Sequence, residues 1–407
     1  MNVPELRFPG FEDEWKINLF GELVTNKSDK YLPKNNEQLI DIELDSIESN
    51  TGRLIHKYNS SHFSSQKHKF NKNQVLYSKL RPYLNKYYFT NFNGVCSSEI
   101  WVLNTKSDLK LINEFIYNFI QTNKFSQIAN KSAGSKMPRA DWNLVENIRF
   151  NIPILKEQEK IGSFFSKLDR QIELEEQKLE KLKEQKKGYM QQIFSQELRF
   201  KDESENDYPE WKERKFSELL SYSSNGVDKK INKNHDIAYM VNYMDVFKKT
   251  KLNTKNRDLL MEITATKVQK EKNNLKKGDI LFTPSSETRE DIAKSTVVFE
   301  DLDNTVYSYH LIRLRPLDSN IFSLKYSNYL SEQNFISKQF RRLAQGAQRY
   351  TLTKEYFENI KLNLPHIKEQ EKIGDFFSKL DEVINKQSQK IDELKLRKQG
   401  FLQKMFV

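Results

Sequence analysis

The chain says one thing twice. Pro153 to Asp169 reads PILKEQEKIGSFFSKLD, and Pro365 to Asp381 reads PHIKEQEKIGDFFSKLD. The match continues without a gap through Lys178/Lys390, Leu182/Leu394, Gly188/Gly400 and Phe194/Phe406. Upstream it passes through Glu146-Asn147-Ile148 and Glu358-Asn359-Ile360 to Gly134 and Gly346. The leading segments repeat too: Glu5-Leu6-Arg7-Phe8 precedes Glu14-Trp15-Lys16, and Glu197-Leu198-Arg199-Phe200 precedes Glu210-Trp211-Lys212. Chance does not produce this. The chain is a tandem duplication, which implies pseudo-two-fold symmetry and a target with two parts.

The repeated stretches predict two long helices. Pro153 and Pro365 suit helix starts, and no proline follows the first until Pro209. In the first, Ile161, Phe165, Leu168, Ile172, Leu179, Leu182, Tyr189 and Ile193 fall on steps of three and four. Ile373, Phe377, Leu380, Ile384, Ile391, Leu394, Phe401 and Met405 do the same in the second. This rhythm is a heptad seam, the pattern of a coiled coil. Glu175, Lys186, Gln387 and Lys398 stand on the seam, where polar residues cost stability but fix register. An amphipathic helix buried on a domain is the competing reading, but so long a run without proline outlasts most globular helices. Two-fold symmetry across the helices makes them antiparallel. Roughly forty residues then span on the order of 60 Å, a rigid separator.

Four segments follow: a first domain over 1–152, a helix over 153–195, a second domain over 196–364 and a helix over 365–407. The expected class is α+β, two mixed α/β domains separated by an antiparallel coiled coil. Gln74–Tyr77 and Glu99–Leu103 read as strands in the first domain, and Leu111–Ile128 as an amphipathic helix. Lys277–Phe282 and Val306–Leu314 echo the two strands in the second. Asn73-Gln74 stands where the second copy has Gly278-Asp279, so that turn is open to a different geometry. Between these anchors the domains diverge sharply. Two similar frames carry two different readers.

A count of 67 Lys+Arg against 56 Asp+Glu gives a net charge of +11. The two helices are nearly balanced, so the surplus lies in the domains and favours a polyanion, nucleic acid before membrane. The single cysteine, Cys96, excludes an internal disulfide and a cysteine-built zinc site and fits a reducing cytoplasm. No signal peptide or apolar span is expected.

Catalytic constellations are missing from the sequence. There is no GxxxxGK[ST] loop, GxGxxG fingerprint, HExxH or GxSxG elbow, and the prolines are isolated, so no methyltransferase-type Asn-Pro-Pro-Tyr occurs. His56, His62 and His68 recur every six residues in a Ser/Lys-rich stretch that reads as a solvated loop rather than a metal site. Cys96, in a strand-like run, reads as a half-buried structural thiol. What remains is binding surface. Lys79, Arg81, Tyr83 and Lys86 follow the first strand, and Ser135, Lys136 and Arg139 lie in a basic loop around Gly134. The second domain offers Ser285, Thr288 and Arg289, then Gln345, Gln348, Arg349 and Tyr350 around Gly346. Arg and Lys pair with phosphates or guanine O6/N7, Gln with adenine N6/N7, and Ser or Thr with either.

These residues resemble the specificity subunits of type I DNA restriction-modification systems. The resemblance covers essentially the whole chain and rests on the doubled P-x-x-K-E-Q-E-K-I-G-x-F-F-S-K-L-D, each ahead of a long charged helix. The Glu-Trp-Lys segments, Gly278–Phe282 and the loops at Gly134 and Gly346 support it. It implies two target-recognition domains, each reading half of a bipartite double-stranded DNA site, on an antiparallel coiled coil that docks two modification subunits. Those partners methylate adenine N6 with S-adenosylmethionine, and added restriction subunits use ATP and Mg²⁺. The subunit itself would hold no cofactor and perform no catalysis. A coiled-coil scaffold with two peptide-binding domains, and a stand-alone nuclease or methyltransferase, are the competing classes.

Overall fold

The computed structural model describes residues 3–33, 37–131, 136–232 and 234–406. The chain forms two compact units, one of Met1–Gln177 with Ser388–Val407 and one of Lys178–Gln387. The two long helices are Leu155–Phe194 and Ile367–Met405. Each unit therefore holds one mixed α/β domain, the start of the helix that follows it and the end of the other long helix.

In the first unit Lys16–Leu19 pairs antiparallel with Arg149–Ile152, closing the domain where the helix departs. A four-stranded sheet runs in the order Val24–Thr25, Ile100–Thr105, Val75–Ser78, Tyr87–Phe89. A five-stranded sheet runs Lys30–Tyr31, Lys67–Phe70, Gly94–Ser97, Ile40–Ile42, Tyr58–Asn59, and its Ile40–Ile42/Gly94–Ser97 pair is parallel. Val75–Ser78 is buried throughout, as suits a mostly apolar run covered on both faces. The second unit rebuilds the plan. Lys212–Lys215 pairs with Lys361–Leu364, and the order Leu220–Ser223, Ile312–Pro316, Ile280–Phe282, Ser295–Val297 repeats the four-stranded sheet. Asp236–Val241 lies parallel to Thr305–Tyr307, as Ile40–Ile42 lies to Gly94–Ser97.

Four expectations change. The helix read over Leu111–Ile128 is two, Asn113–Phe119 and Asn123–Ala129, because the Thr122 hydroxyl caps a new helix by accepting from the Phe125 N–H. The turns at Asn73 and Gly278 share one hand, with φ of +65° and +89°, and donate their N–H to Thr90 and Val298 carbonyls. Asparagine tolerates the left-handed region well enough to stand in for glycine. The histidine stretch is partly sheet. His68 lies in the Lys67–Phe70 strand, and neighbouring Lys67 is fully buried beside Asp41 (3.0 Å) and Glu43, with its ammonium 4.0 Å from the Phe63 ring centre. Cys96 is fully rather than half buried, and burial pushes its thiol pKa well up.

The KEQEKIG repeat is the joint between domain and helix. Glu157, fully buried, takes the Arg7 guanidinium on both oxygens at 2.8 and 2.9 Å; Glu369 takes Arg199 at 3.1 and 2.8 Å. The Gln158 amide donates to the Lys110 and Pro153 carbonyls and accepts from the Ile112 N–H. Gln370 repeats this with Ile321, Pro365 and Ser323. The glycine allows close approach: a Cβ on Gly374 would lie 2.6 Å from the Tyr326 nitrogen, and one on Gly162 3.1 Å from Glu114 Cβ.

Within each unit the two helix segments run antiparallel. In the first, Phe164 packs on Phe401, Phe165 on Phe406, and Asp169 pairs with Lys398 at 2.7 Å. In the second, Phe376 packs on Tyr189, Phe377 on Phe194, and Asp381 pairs with Lys186 at 2.8 Å. These are the same contacts in repeat-equivalent residues. Ile161, Phe165, Leu168, Ile172, Ile373, Phe377, Ile391 and Leu394 are buried; Leu179, Leu182, Leu380 and Ile384 are half-buried. The polar seam residues have partners: Glu175 meets Lys390, Lys398 also reaches Gln121 (2.8 Å), and Lys186 also reaches Glu332 (3.1 Å).

Candidate nucleic-acid interface

In the first domain the chain leaves the buried strand Val75–Ser78 into a tight loop. Arg81 and Asn85, at φ +51° and +52°, flank a 3₁₀ turn over Pro82–Leu84. Arg81, a long side chain in the left-handed region, holds strain that surrounding contacts must maintain. The contacts are there: Arg81 N–H donates to the Pro138 carbonyl and Ala140 N–H to the Lys79 carbonyl, both at 2.8 Å. The two basic loops singled out by sequence are thus laced together, with Leu80 bridged to Arg139. Arg81, Tyr83 and Lys136 are exposed. Lys86 is drawn inward, its ammonium donating to the Leu44 carbonyl at 2.6 Å. Ser135, with Ser132, Ala133 and Gly134, lies outside the described residues.

Glu99, which the sequence reading passed over, joins this loop pair. Arg139 Nε and Nη2 donate to its two carboxylate oxygens, each at 3.0 Å, and Lys79 Nζ stands 4.0 Å away. The Arg139 hydrogen bonds hold the Glu99 carboxyl below the usual range. Forty residues separate the partners in sequence, and only the acid's place beside a strand end hinted at a role.

The second domain builds the equivalent place differently. Ser285–Ser286 pairs with Tyr350–Thr351, and the Tyr243 hydroxyl donates to the Ser285 carbonyl at 2.9 Å. Arg289 lies over the Tyr350 ring, 5.1 Å from its centre. The Thr288 hydroxyl donates to Asp291 at 2.9 Å. Gln345 and Thr351 exchange backbone hydrogen bonds, and the side chains of Gln348 and Arg349 are exposed. Gly346, at φ +137°, is required by the turn, since a Cβ there would fall 2.0 Å from the Arg349 carbonyl oxygen. The sequence-selected residues therefore gather at one loop cluster per domain, Lys86 turned inward and Ser135 aside. Among the described residues no group of three or more His, Cys, Asp or Glu is placed to hold a metal ion, and no helix is long and apolar enough to cross a membrane.

A family model for the type I restriction modification DNA specificity domain matches the chain twice, over residues 12–184 and 208–396. The chain belongs to that family. Specificity subunits of these systems are non-catalytic. The chain is 28% identical to the EcoDI specificity subunit of Escherichia coli over 156 residues, a match spanning 38% of this chain and 34% of that protein. It is 23% identical to the MjaVIII specificity subunit of Methanocaldococcus jannaschii over 321 residues, 75% of this chain and 73% of that one. Two solved structures share the fold. One, concerned with complex assembly and conformational transition of the type I system, superposes with a TM-score of 0.63 at 16% identity over 98% of both chains. The other, the specificity subunit of M. genitalium, gives 0.54 at 15% identity over 100% of this chain and 99% of that one. The specificity chain therefore has two family domains in tandem, each with its own loop cluster.

Proposed function

We propose that this specificity chain reads an asymmetric two-part sequence in double-stranded DNA and delivers two modification subunits to it, with restriction subunits joining where they are present. One observation carries the reading: joints and seams recur at equivalent positions in both units, while the loop clusters differ. Lys79, Arg81, Tyr83, Lys136 and Arg139 face one half-site; Ser285, Thr288, Arg289, Gln345, Gln348, Arg349 and Tyr350 face the other. Lys86 supports the first loop from behind. S-adenosylmethionine, ATP and Mg²⁺ belong to the partners, and the complex works in the cytoplasm where the DNA is. A methylation map of DNA from cells expressing this chain with its modification partner tests the reading. Two unlike half-sites at a fixed gap are expected, and exchanging Ser78–Lys86 with Ser132–Arg139 for foreign loops should change one half-site alone. A peptide-binding scaffold would give no map and no salt-dependent DNA affinity.

A further inference from the structure

Contacts that recur in both units belong to the frame. The Glu99–Arg139 pair does not recur: strand register puts His310 at the position of Glu99, and Thr351, opposite Ser285, at that of Arg139. It belongs to the first reader. A carboxylate is a poor neighbour for an arginine meant to grip phosphate, because it cancels the charge and repels the anion. For an arginine meant to read a base it has a use. Glu99 occupies the side edge of the guanidinium, Nε and Nη2. The end edge, with one N–H each from Nη1 and Nη2, points away and has no partner among the described residues. Two parallel donors on a planar group match guanine O6 and N7. Arg139 is half exposed on a loop pinned by the Ala140–Lys79 and Arg81–Pro138 hydrogen bonds, so its backbone is fixed before DNA arrives.

We infer that Arg139 is a guanine-reading residue of the first half-site and that Glu99 is its positioning residue, holding the guanidinium end-on toward the major groove. The inference rests on the proposed DNA-reading function. Glu99→Ala and Arg139→Ala should relax the same base pair, each lowering discrimination there by roughly 5- to 150-fold, while the second half-site stays unchanged. Glu99→Gln keeps one acceptor and should fall between wild type and Glu99→Ala. Arg139→Lys keeps the charge but not the paired donors, and should relax the position too.

The test is a methylation map and a set of binding isotherms at several salt concentrations, using the full chain in complex with its modification partner. Thermal melting and partner co-purification show that each variant is folded. A phosphate role would give the opposite pattern: Arg139→Ala weakens all sequences alike and flattens the salt slope by about one, whereas Glu99→Ala tightens binding. That result overturns the inference, as does a wild-type map from every variant, which would leave a plain surface ion pair. A wild-type complex with no sequence preference sinks the function itself, and so separates the two failures.

Discussion

Arg199 and Glu369 show how few residues hold a domain to its helix. Glu369 is fully buried, accepts both guanidinium contacts and also takes the Trp211 indole N–H at 2.8 Å. Removing the arginine leaves a buried carboxylate without its counter-charge, which costs about 3–5 kcal/mol. Arg199→Ala should therefore lower unfolding stability by that order, read by urea denaturation. The double variant Arg199→Met/Glu369→Leu should recover most of the loss, because well-packed apolar residues replace such pairs at little cost. A small effect of the single variant would mean that water replaces the guanidinium. Arg7 and Glu157 repeat the two guanidinium contacts in the first unit, without an indole bond from Trp15. The repeat was visible in the sequence at both Arg-Phe and Lys-Glu-Gln. Its pairing was not, since Arg7 and Glu157 lie 150 residues apart. Glu99 was harder still: it is a lone acid in a strand turn, with no second copy to mark it.

Each long helix carries two glycines at repeat-equivalent positions, and they play opposite parts. Gly162 and Gly374 lie where the helix presses on its domain, whereas Gly188 and Gly400 have nothing within 4 Å of a built Cβ. An open glycine inside a helix only adds freedom to the unfolded chain. Gly188→Ala or Gly400→Ala should stabilise by about 0.5–1 kcal/mol. Gly374→Ala should destabilise, because backbone and Lys325 Cβ crowd the new methyl, and Gly162→Ala should do so less. Melting curves of the four variants check the signs; stabilisation by Gly374→Ala would contradict the close joint. At this scale the sequence was informative where periodicity is long. Forty helical residues with a three–four rhythm leave no competing element. It misled over Leu111–Ile128, where Phe115, Ile116 and Phe119, then Phe125 and Ala129, keep helical spacing on either side of a break. The hydrophobic period reported burial there, and the Thr122 cap was the overlooked signal of the break.

For the whole chain, the telling feature is where the two units divide. The boundary falls inside both long helices, at Gln177/Lys178 and Gln387/Ser388, and neither helix is interrupted there. On the first unit's side of it Glu175 pairs with Lys390, and Glu176 with Lys395 at 2.7 Å and with Arg53. From the unbroken three–four rhythm of the seam we expect the helix pair to set the gap between half-sites as a ruler. Four residues inserted into each helix at the boundary add about 6 Å of helix, with a local stutter in the seam. At ~3.4 Å per base pair, the preferred gap should grow by roughly one or two base pairs while both half-sites keep their sequence. The methylation map of the insertion variant, bound to its modification partner, reads this directly. An unchanged gap at full activity would mean that the helices serve only as a docking post and that the partners fix the spacing. A longer gap with unchanged half-sites would place recognition in the loop clusters and distance in the helices, as expected of a duplicated frame carrying two readers.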